Sequence, residues 1–390
     1  MRVLMVTEHC FPPDPRIERE AEALISNGYE VAVLSGRRFA GPSFSLYRGI
    51  TVHYFRCFLL RGVAILNALK MLSLVSKFKP AILHLHDIRL GIYLVLLARI
   101  LRLPLIIDMH EVWTYLVYMS TANRLLKFMG YVIYHTLERF ALRRANAIIT
   151  VVEEASTALS RRYGIKPYRF TAIRNLAEPS EFELVSPVKD PTLEGQFLLC
   201  YFGNLHYPYL RNLDRVIDSI KYLSDIPAIR LVIIGGSPLV GDEKNLKTLR
   251  DHAAAAGVAD RVIFTGWLPY RKAISHVAAS DVCIVPYSKS LFTDTTLPLK
   301  VSQYLALGKV VVSTPTRPVV RLLGDHMIVW DGHSSKSLSD IIRQLYQDKP
   351  LRISLGETGR NLFRSRFNWD REKRKLERLY QVITKQASVN

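Results

Sequence analysis

Cysteine is scarce in this chain of 390 residues: Cys10, Cys57, Cys200 and Cys283 lie far apart, with no Cys-x-x-Cys pair and no His at zinc-ligand spacing. That spacing indicates neither a disulfide framework nor a metal knuckle, and it suits a reducing compartment. Acidic residues are also short, 34 against 53 Lys and Arg, for a formal net charge of +19. Long apolar runs are missing. The most hydrophobic region, Leu90 to Met109, is broken by Arg99, Arg102 and Pro104 before the roughly 18 clean residues a membrane span needs. It reads instead as a helix followed by a buried strand. Glu8 interrupts the opening residues ahead of any signal-length apolar core, and Pro12 and Pro13 follow, so no secretory signal is expected. Glycine and proline are too few for a collagen-like or low-complexity chain, while a 49% hydrophobic composition supplies packed cores.

What is present is a rhythm. Short Val/Ile/Leu-rich runs alternate with stretches of helical period, the trace of parallel strands covered on both faces by helices. The first series has strands at Arg2 to Val6, Glu30 to Leu34, Thr51 to Phe55, Ala81 to Leu85, Leu105 to Asp108, Ala147 to Val151 and Phe170 to Ile173. Ile17, Ala21, Leu24 and Ile25 share one face of a helix from Arg16 to Ser26, closed by Gly28. The pattern lapses between Asn175 and Glu194 at Pro179, Pro187 and Pro191, then resumes. The second series runs Phe197 to Phe202, Arg230 to Ile234, Val262 to Thr265, Val282 to Pro286, Val310 to Thr314 and Met327 to Trp330, with helices such as Leu210 to Leu223 and Glu243 to Ala256. A basic tail, Trp369 to Lys385, carries Leu376, Leu379, Tyr380 and Ile383 on a helical period. The expected fold class is therefore α/β, with two doubly wound domains at 1–175 and 196–367, a linker at 176–195 and a final helix and tail at 368–390. Such sheets bind ligands at the C-terminal ends of their strands, so two facing domains make a cleft suited to two substrates.

No G-x-G-x-x-G follows the first strand and no P-loop occurs, which disfavours nicotinamide, flavin and P-loop nucleotide chemistry. The informative segment is Phe292 to Val312, read as loop, helix and strand. Pro298 suits a first helical turn, Thr295 or Thr296 can cap, and Gly308 ends the helix. The free amides and positive end of that helix suit a phosphate, with Lys300 adding charge and Gln303 a turn further on for a ribose. On the helix alone, an ordinary Pro-started helix with solvated Lys and Gln explains the same residues.

From this segment outward the chain resembles the retaining nucleotide-sugar glycosyltransferases of family 4, which have the GT-B fold of two facing Rossmann-like domains. The matching motifs are Pro15 to Ala21, Leu83 to Asp87, Asp108 to Glu111, Ala145 to Val151, Tyr201 to Asn204, Phe264 to Leu268 and Pro298 to Gly308, in order over essentially the whole chain. The resemblance implies an interdomain cleft, a final helix returning to the first domain, and a donor held mainly by the second domain. The donor diphosphate would lie on the helix starting near Pro298, with Thr296, Leu297 and Leu299 beside it. The family's paired-Glu motif is replaced: its two positions hold Thr295 and Gln303. Branches with a Pro-x-Lys-x-x-Glu-Tyr variant lack the first Glu, and Gln303 is a further departure. After Gly203 the usual Arg is Asn204, so the cationic role falls to Arg211 with Lys300. Trp267 and Leu268 would cover the base. The first loop lacks the Gly-Gly pair common in the family.

Implied roles on the acceptor side fall to His110, the family's active-site His, and to His86 and Asp87. For His110 the alternative is a His bonded within its own loop. Arg16 suits an acceptor phosphate or, equally, a surface ion pair with Glu20, and Glu111 reads as a capping or packing carboxylate. With no Asp-x-Asp motif, a metal-independent enzyme is expected, needing no cofactor because the nucleotide sugar is a substrate. The acceptor would be a glycan or lipid-linked. A catalytically weak relative that binds nucleotide or glycan is the alternative, motivated by Gln303.

The positive charge clusters with apolar groups in two stretches. Arg56 to Lys79 has Arg56, Arg61, Lys70, Lys77 and Lys79 amid Phe58, Leu59, Leu60, Ile65 and Leu66. Val112 to Arg144 has Trp113, Tyr115, Tyr118, Phe128, Tyr131 and Tyr134 with Arg124, Lys127, Arg139, Arg143 and Arg144. These suit an anionic membrane surface or, equally, helices with solvated basic faces. No nucleic-acid motif accompanies the charge. The expected location is cytoplasmic, peripheral on the membrane inner face.

Overall fold

The computed structural model describes residues 1–37, 43–56, 63–120, 123–188, 190, 193–205, 211–236 and 242–389; for 37, 56, 63–70, 119–120, 242 and 386–389 it describes the backbone alone. Leu210 and Pro191 lie outside these residues, as do Phe58, Leu59, Leu60 and Arg61. The side chains of Arg56, Ile65, Leu66 and Lys70 from the first basic stretch lie outside them too. The chain divides into two compact units, Met1–Asn175 with Glu372–Asn390, and Leu176–Arg371.

Unit one is built on β1 (Arg2–Thr7), β2 (Glu30–Arg37), β3 (Phe44–Tyr47), β4 (Ile50–Arg56), β5 (Ile82–His86), β6 (Leu105–Met109), β7 (Ala147–Thr150) and β8 (Phe170–Ala172). Its helices are α1 (Pro15–Ser26), α2 (Val63–Phe78), α3 (Gly91–Ile100), α4 (Trp113–Ser120), α5 (Arg124–Leu142) and α6 (Glu153–Tyr163). The strands order as β3-β4-β2-β1-β5-β6-β7-β8 and are parallel except for β3 against β4. The order turns back between β1 and β5, and in an open sheet that switch point is where ligands bind. Strand β3 departs from the expected series. It is a four-residue edge strand with Phe44 and Leu46 exposed, too short for its alternation to stand out.

Unit two has β9 (Phe197–Phe202), β10 (Ile229–Ile234), β11 (Val262–Gly266), β12 (Val282–Val285), β13 (Val310–Ser313) and β14 (Ile328–Val329). Its helices are α7 (Leu213–Ser219), α8 (Asp242–Ala255), α9 (Tyr270–Ala279), α10 (Leu299–Ala306), α11 (Arg317–Leu323), α12 (Ser335–Gln347) and α13 (Lys349–Ser365). The all-parallel order β11-β10-β9-β12-β13-β14 puts its switch point between β9 and β12. Strands buried on both faces need continuous apolar runs, and Leu199, Leu231, Ile233, Val282, Ile284 and Val312 form one core with Trp330 and Leu338.

Helix α14 (Trp369–Val389) carries the chain back, from Glu372 onward, into unit one. Its stripe packs there: Leu376, Tyr380 and Ile383 are buried, Tyr380 meets the Tyr29 ring edge-on at 5.5 Å, and the Tyr29 hydroxyl lies 3.2 Å from that of Thr384. Both sheets are Rossmann-like, as the hydrophobic rhythm predicts.

Candidate functional site

Each switch point carries a cluster of charge. In unit one it starts from the strand Ile-Leu-His-Leu-His of β5, whose five residues are all buried. Alternation puts His84 and His86 on one face, rings stacked at 4.4 Å. Register places His86 beside Asp108 of β6, and His110 just beyond brings its Nε2 to 3.1 Å from Asp108 Oδ2 and 3.2 Å from His86 Nδ1. Arg16 of α1 closes the group, its guanidinium donating to both oxygens of Asp108 at 2.6 and 2.8 Å and to the Ile173 carbonyl at 3.1 Å. Asp14 caps α1, accepting from the Arg16 and Ile17 amides, and so fixes Arg16 in its first turn.

The electrostatics follow from those distances. Burial alone would discharge His110, but Asp87 and Asp108 raise its pKa to about 10, so it is an imidazolium at neutral pH. Burial likewise works against the Asp108 carboxylate, yet Arg16 and His110 hold it ionised well below the usual range. Asp87, despite burial, is held at about 2 by His110 and by hydrogen bonds from His9 at 3.0 Å and the Trp113 indole at 3.1 Å. Those bonds hold it at φ +68°, a strained conformation for a non-glycine residue. Burial and Asp108 push Glu20 up to about 8. Burial lowers both His84 and His86.

Glu20, His84, His86 and Asp108 bring ligand-type atoms within 4.8 Å of one another. The set does not fit a cation well. The Asp108 charge a metal would need is already committed to the Arg16 guanidinium, and Glu20, raised to about 8, keeps its proton at neutral pH.

In unit two the cluster is cationic. Lys300, in the first turn of α10, is buried, with Nζ 3.9 Å from the Tyr201 ring centroid and 5.5 Å from that of Tyr287. Among the described residues it pairs with no carboxylate. Burial and the neighbouring Arg211 push its pKa well down. Arg211 lies over Tyr287 at 5.3 Å and donates to the Asn204 side-chain carbonyl. Glycine is needed where these elements meet. Gly203 takes φ +146°, and a Cβ there would lie 2.6 Å from Lys300 Nζ, while one on Gly235 would strike the Gly203 carbonyl. Gln303, a turn along α10, donates from Nε2 to the Tyr270 hydroxyl at 3.0 Å, which donates to Glu181 Oε2 at 2.7 Å.

The structure thus brings His86, Asp87 and His110 together in one unit, and Gly203, Asn204, Arg211 and Lys300 in the other. Several expectations are corrected. Arg16 makes the expected pair with Glu20 at 3.1 Å, but buried and not at the surface, and with its other donors on Asp108 and Ile173 it is not open to a phosphate. Neither Thr295 nor Thr296 caps α10: Pro298 occupies the cap position without a side-chain bond, and the Thr295 hydroxyl is turned back to the carbonyls of Leu291 and Phe292. Leu297 is buried and Leu299 starts α10. Trp267 is 56% exposed and Leu268 half-buried, both following Gly266 at the end of β11. Sequence reasoning assigned no site role to Glu20, His84, Tyr380, Tyr201, Tyr287 or Tyr270. The His-x-His of β5 was the available signal for His84.

Two such Rossmann-like sheets, the second with a cationic cluster at its switch point, are the GT-B glycosyltransferase architecture. Two family models match, "Glycosyltransferase Family 4" over residues 16–181 and "Glycosyl transferases group 1" over 187–362. Between them they take in most of both units, and the chain belongs to the family 4-like glycosyltransferases. Among solved structures it is similar to sucrose-phosphate synthase from Thermosynechococcus elongatus (TM-score 0.82, 15% identity, 99% of this chain and 100% of that one). It is also similar to Anabaena HepE in complex with UDP and glucose (TM-score 0.76, 15% identity, 98% and 100%). Among curated proteins it is 26% identical over 172 residues to 2-deoxystreptamine glucosyltransferase of Streptomyces kanamyceticus, covering 43% of this chain and 42% of the relative. It is 28% identical over 156 residues to the GDP-mannose-dependent alpha-(1-6)-phosphatidylinositol monomannoside mannosyltransferase of Mycobacterium tuberculosis, covering 37% and 39%. These alignments span less than half of either relative's length.

Proposed function

We propose that the protein transfers a sugar from a nucleoside diphosphate sugar to a glycan or lipid-linked acceptor, with retention and without a metal ion, at the membrane inner face. Unit two binds the donor and unit one the acceptor. One observation carries this reading: Lys300 is a buried lysine beside a cation, Arg211, and Lys300 has no carboxylate to pair with among the described residues. A buried ammonium is costly unless paired, and a diphosphate supplies the missing charge. The amides that open α10 and the Gly203 cradle add donors for the same anion. The UDP and UDP-glucose named with the HepE structures support a nucleotide donor.

In the reaction the bond between the sugar's anomeric carbon and the diphosphate breaks. The acceptor oxygen bonds to that carbon from the same face, and its proton passes to the departing phosphate. Charge develops on the diphosphate, where Lys300, Arg211 and the helix amides stabilise it. The His110 imidazolium, fixed by Asp108 and Asp87, offers a proton to a substrate oxygen. Lys300→Met and Arg211→Ala should each lower transfer on the order of 10²-fold, with EDTA leaving the wild-type rate unchanged and NMR of the product showing the donor's anomeric configuration. Full rates in both variants would place the donor elsewhere. A second reading, a weak catalyst that mainly binds nucleotide, is favoured by the engagement of Gln303 with Tyr270. Tight nucleoside diphosphate binding with neither transfer nor donor hydrolysis would select it.

A further inference from the structure

Helix α5 is held to unit one by only part of its surface. Glu138, fully buried, accepts from the Thr114 amide and hydroxyl at 3.1 Å each and from the Tyr163 hydroxyl at 2.5 Å. Tyr134 stacks on Trp113 at 5.2 Å. A Cβ on Gly130 would lie 2.5 Å from the Val117 side chain, so α4 and α5 touch there. The aromatic residues of this stretch therefore turn largely inward, with Arg162 lying over Tyr115 and Tyr131 as well.

The opposite side of the N-terminal half of α5 carries Leu125, Leu126, Phe128, Met129, Val132 and Ile133. They are exposed by between 44% for Val132 and 66% for Leu125. At helical spacing they share one broad face, running about 12 Å along the axis. Six large apolar groups on little more than two turns are a patch, not the scatter of single residues that any surface shows. The surroundings are one-signed. No Asp or Glu occurs between Glu111 and Glu138, and Arg124 and Arg139, which flank this face, pair with no carboxylate among the described residues; Lys127 lies on the other side, over the Tyr118 ring at 5.3 Å. An apolar helix face edged by unpaired cations is complementary to an acyl layer under anionic headgroups. A second copy of the chain fits less well, because a self-complementary contact would bring like cations together. No described helix is long and apolar enough to cross a membrane, so the contact is interfacial.

We infer that this face of α5 docks onto an anionic phospholipid leaflet, lying in its plane. The inference deepens the membrane part of the reading above and rests on it for its use, since a lipid-linked acceptor would be met at that surface. Its test does not pass through turnover.

The full chain is sedimented with vesicles of phosphatidylcholine alone and of phosphatidylcholine with about one-third phosphatidylglycerol. The wild type should pellet with the second and not the first, and release as salt rises. The double variant Leu126→Glu/Ile133→Glu, both positions exposed, should lose binding at least about tenfold. Arg124→Gln/Arg139→Gln should lose about 25-fold, some fivefold per cation. The far-UV circular dichroism and the ligand-free melting curve of the full chain should stay as in the wild type and confirm that the variants fold. Equal pelleting with neutral vesicles, or wild-type binding by the Leu126→Glu/Ile133→Glu protein, would overturn the proposal. So would a wild-type dimer in light scattering that this variant dissociates, which would give the face to a second copy. Vesicle binding without any sugar transfer would sink only the transferase reading.

Discussion

Gln303 occupies a position where the family resemblance leads one to expect Glu, and its neighbours give the substitution a reason. The Tyr270 hydroxyl has one proton, donated to Glu181, and its lone pair accepts the Gln303 amide. A Glu at 303 would set a second acceptor against that hydroxyl. Leaving a buried acceptor unsatisfied costs about 1–3 kcal/mol. Gln303→Glu should therefore weaken nucleoside diphosphate binding about tenfold, and adding Tyr270→Phe should recover much of the loss. Tighter binding by the single variant, read by calorimetry, would show that Gln303 is simply a weakened carboxylate. Lys300 makes a separate prediction. Burial and Arg211 lower its pKa, and a diphosphate bound beside it as proposed would raise it again, so binding takes up protons at any pH where the free lysine is partly deprotonated. Calorimetry in buffers of different ionisation heat should show that uptake, and Lys300→Met should remove its share.

Among the elements, the junction of β5, β6, α1 and α14 sets how unit one responds to pH. His110 rises from its ordinary 6.5 to about 10, so its contribution to stability is complete below 6.5 and lost as pH climbs toward 10. Glu20, raised to about 8, acts in the same sense: the folded state holds its proton between about 4.5 and 8, so stability falls across that window too. Asp87 opposes them only in acid, losing its contribution as pH falls through about 2. Urea melts from pH 6 to 10 should show stability dropping, and His110→Gln should flatten the alkaline half of that drop; parallel curves would mean the imidazolium is not held as described. Tyr380 of α14, its hydroxyl 2.8 Å from His84 Nδ1, ties the last helix into the same junction. Tyr380→Phe leaves His84 Nδ1 without that partner and should cost about 1–3 kcal/mol in the same melts. These elements were legible in the sequence unequally. The strands were readable because burial on both faces forces runs such as Val-Leu-Met-Val and Leu-Ile-Ile. The helix stripe of α14 was readable from Leu376, Tyr380 and Ile383. The pairing of Arg16 with Asp108 was not, since the two are joined by neither period nor spacing, only by the order in which strands assemble. Arg16 read as a surface residue for that reason, and Thr295 as a cap because a hydroxyl's choice between amide and carbonyl is made by local backbone geometry.

For the molecule as a whole, a formal charge of +19 leaves far more repulsion than the ion pairs neutralise. Most of that repulsion lies on the surface, where the Debye length falls to about 10 Å at 0.1 M salt and screening is effective. The Lys300 and Arg211 pair is different: it is buried, and screening by mobile ions reaches it poorly, whereas a seated anion neutralises it directly. Two effects of salt therefore separate. Sodium chloride should raise the melting temperature gradually as surface repulsion is screened. Pyrophosphate at equal ionic strength should raise it further, by mass action at one site, worth about 2.7 kcal/mol at a hundredfold excess over Kd. In Lys300→Met the chloride-dependent rise should persist while the pyrophosphate excess disappears. A variant that keeps the excess would mean that the anion is held by the general surface charge, and the cationic cluster at the second switch point would lose its claim to the donor.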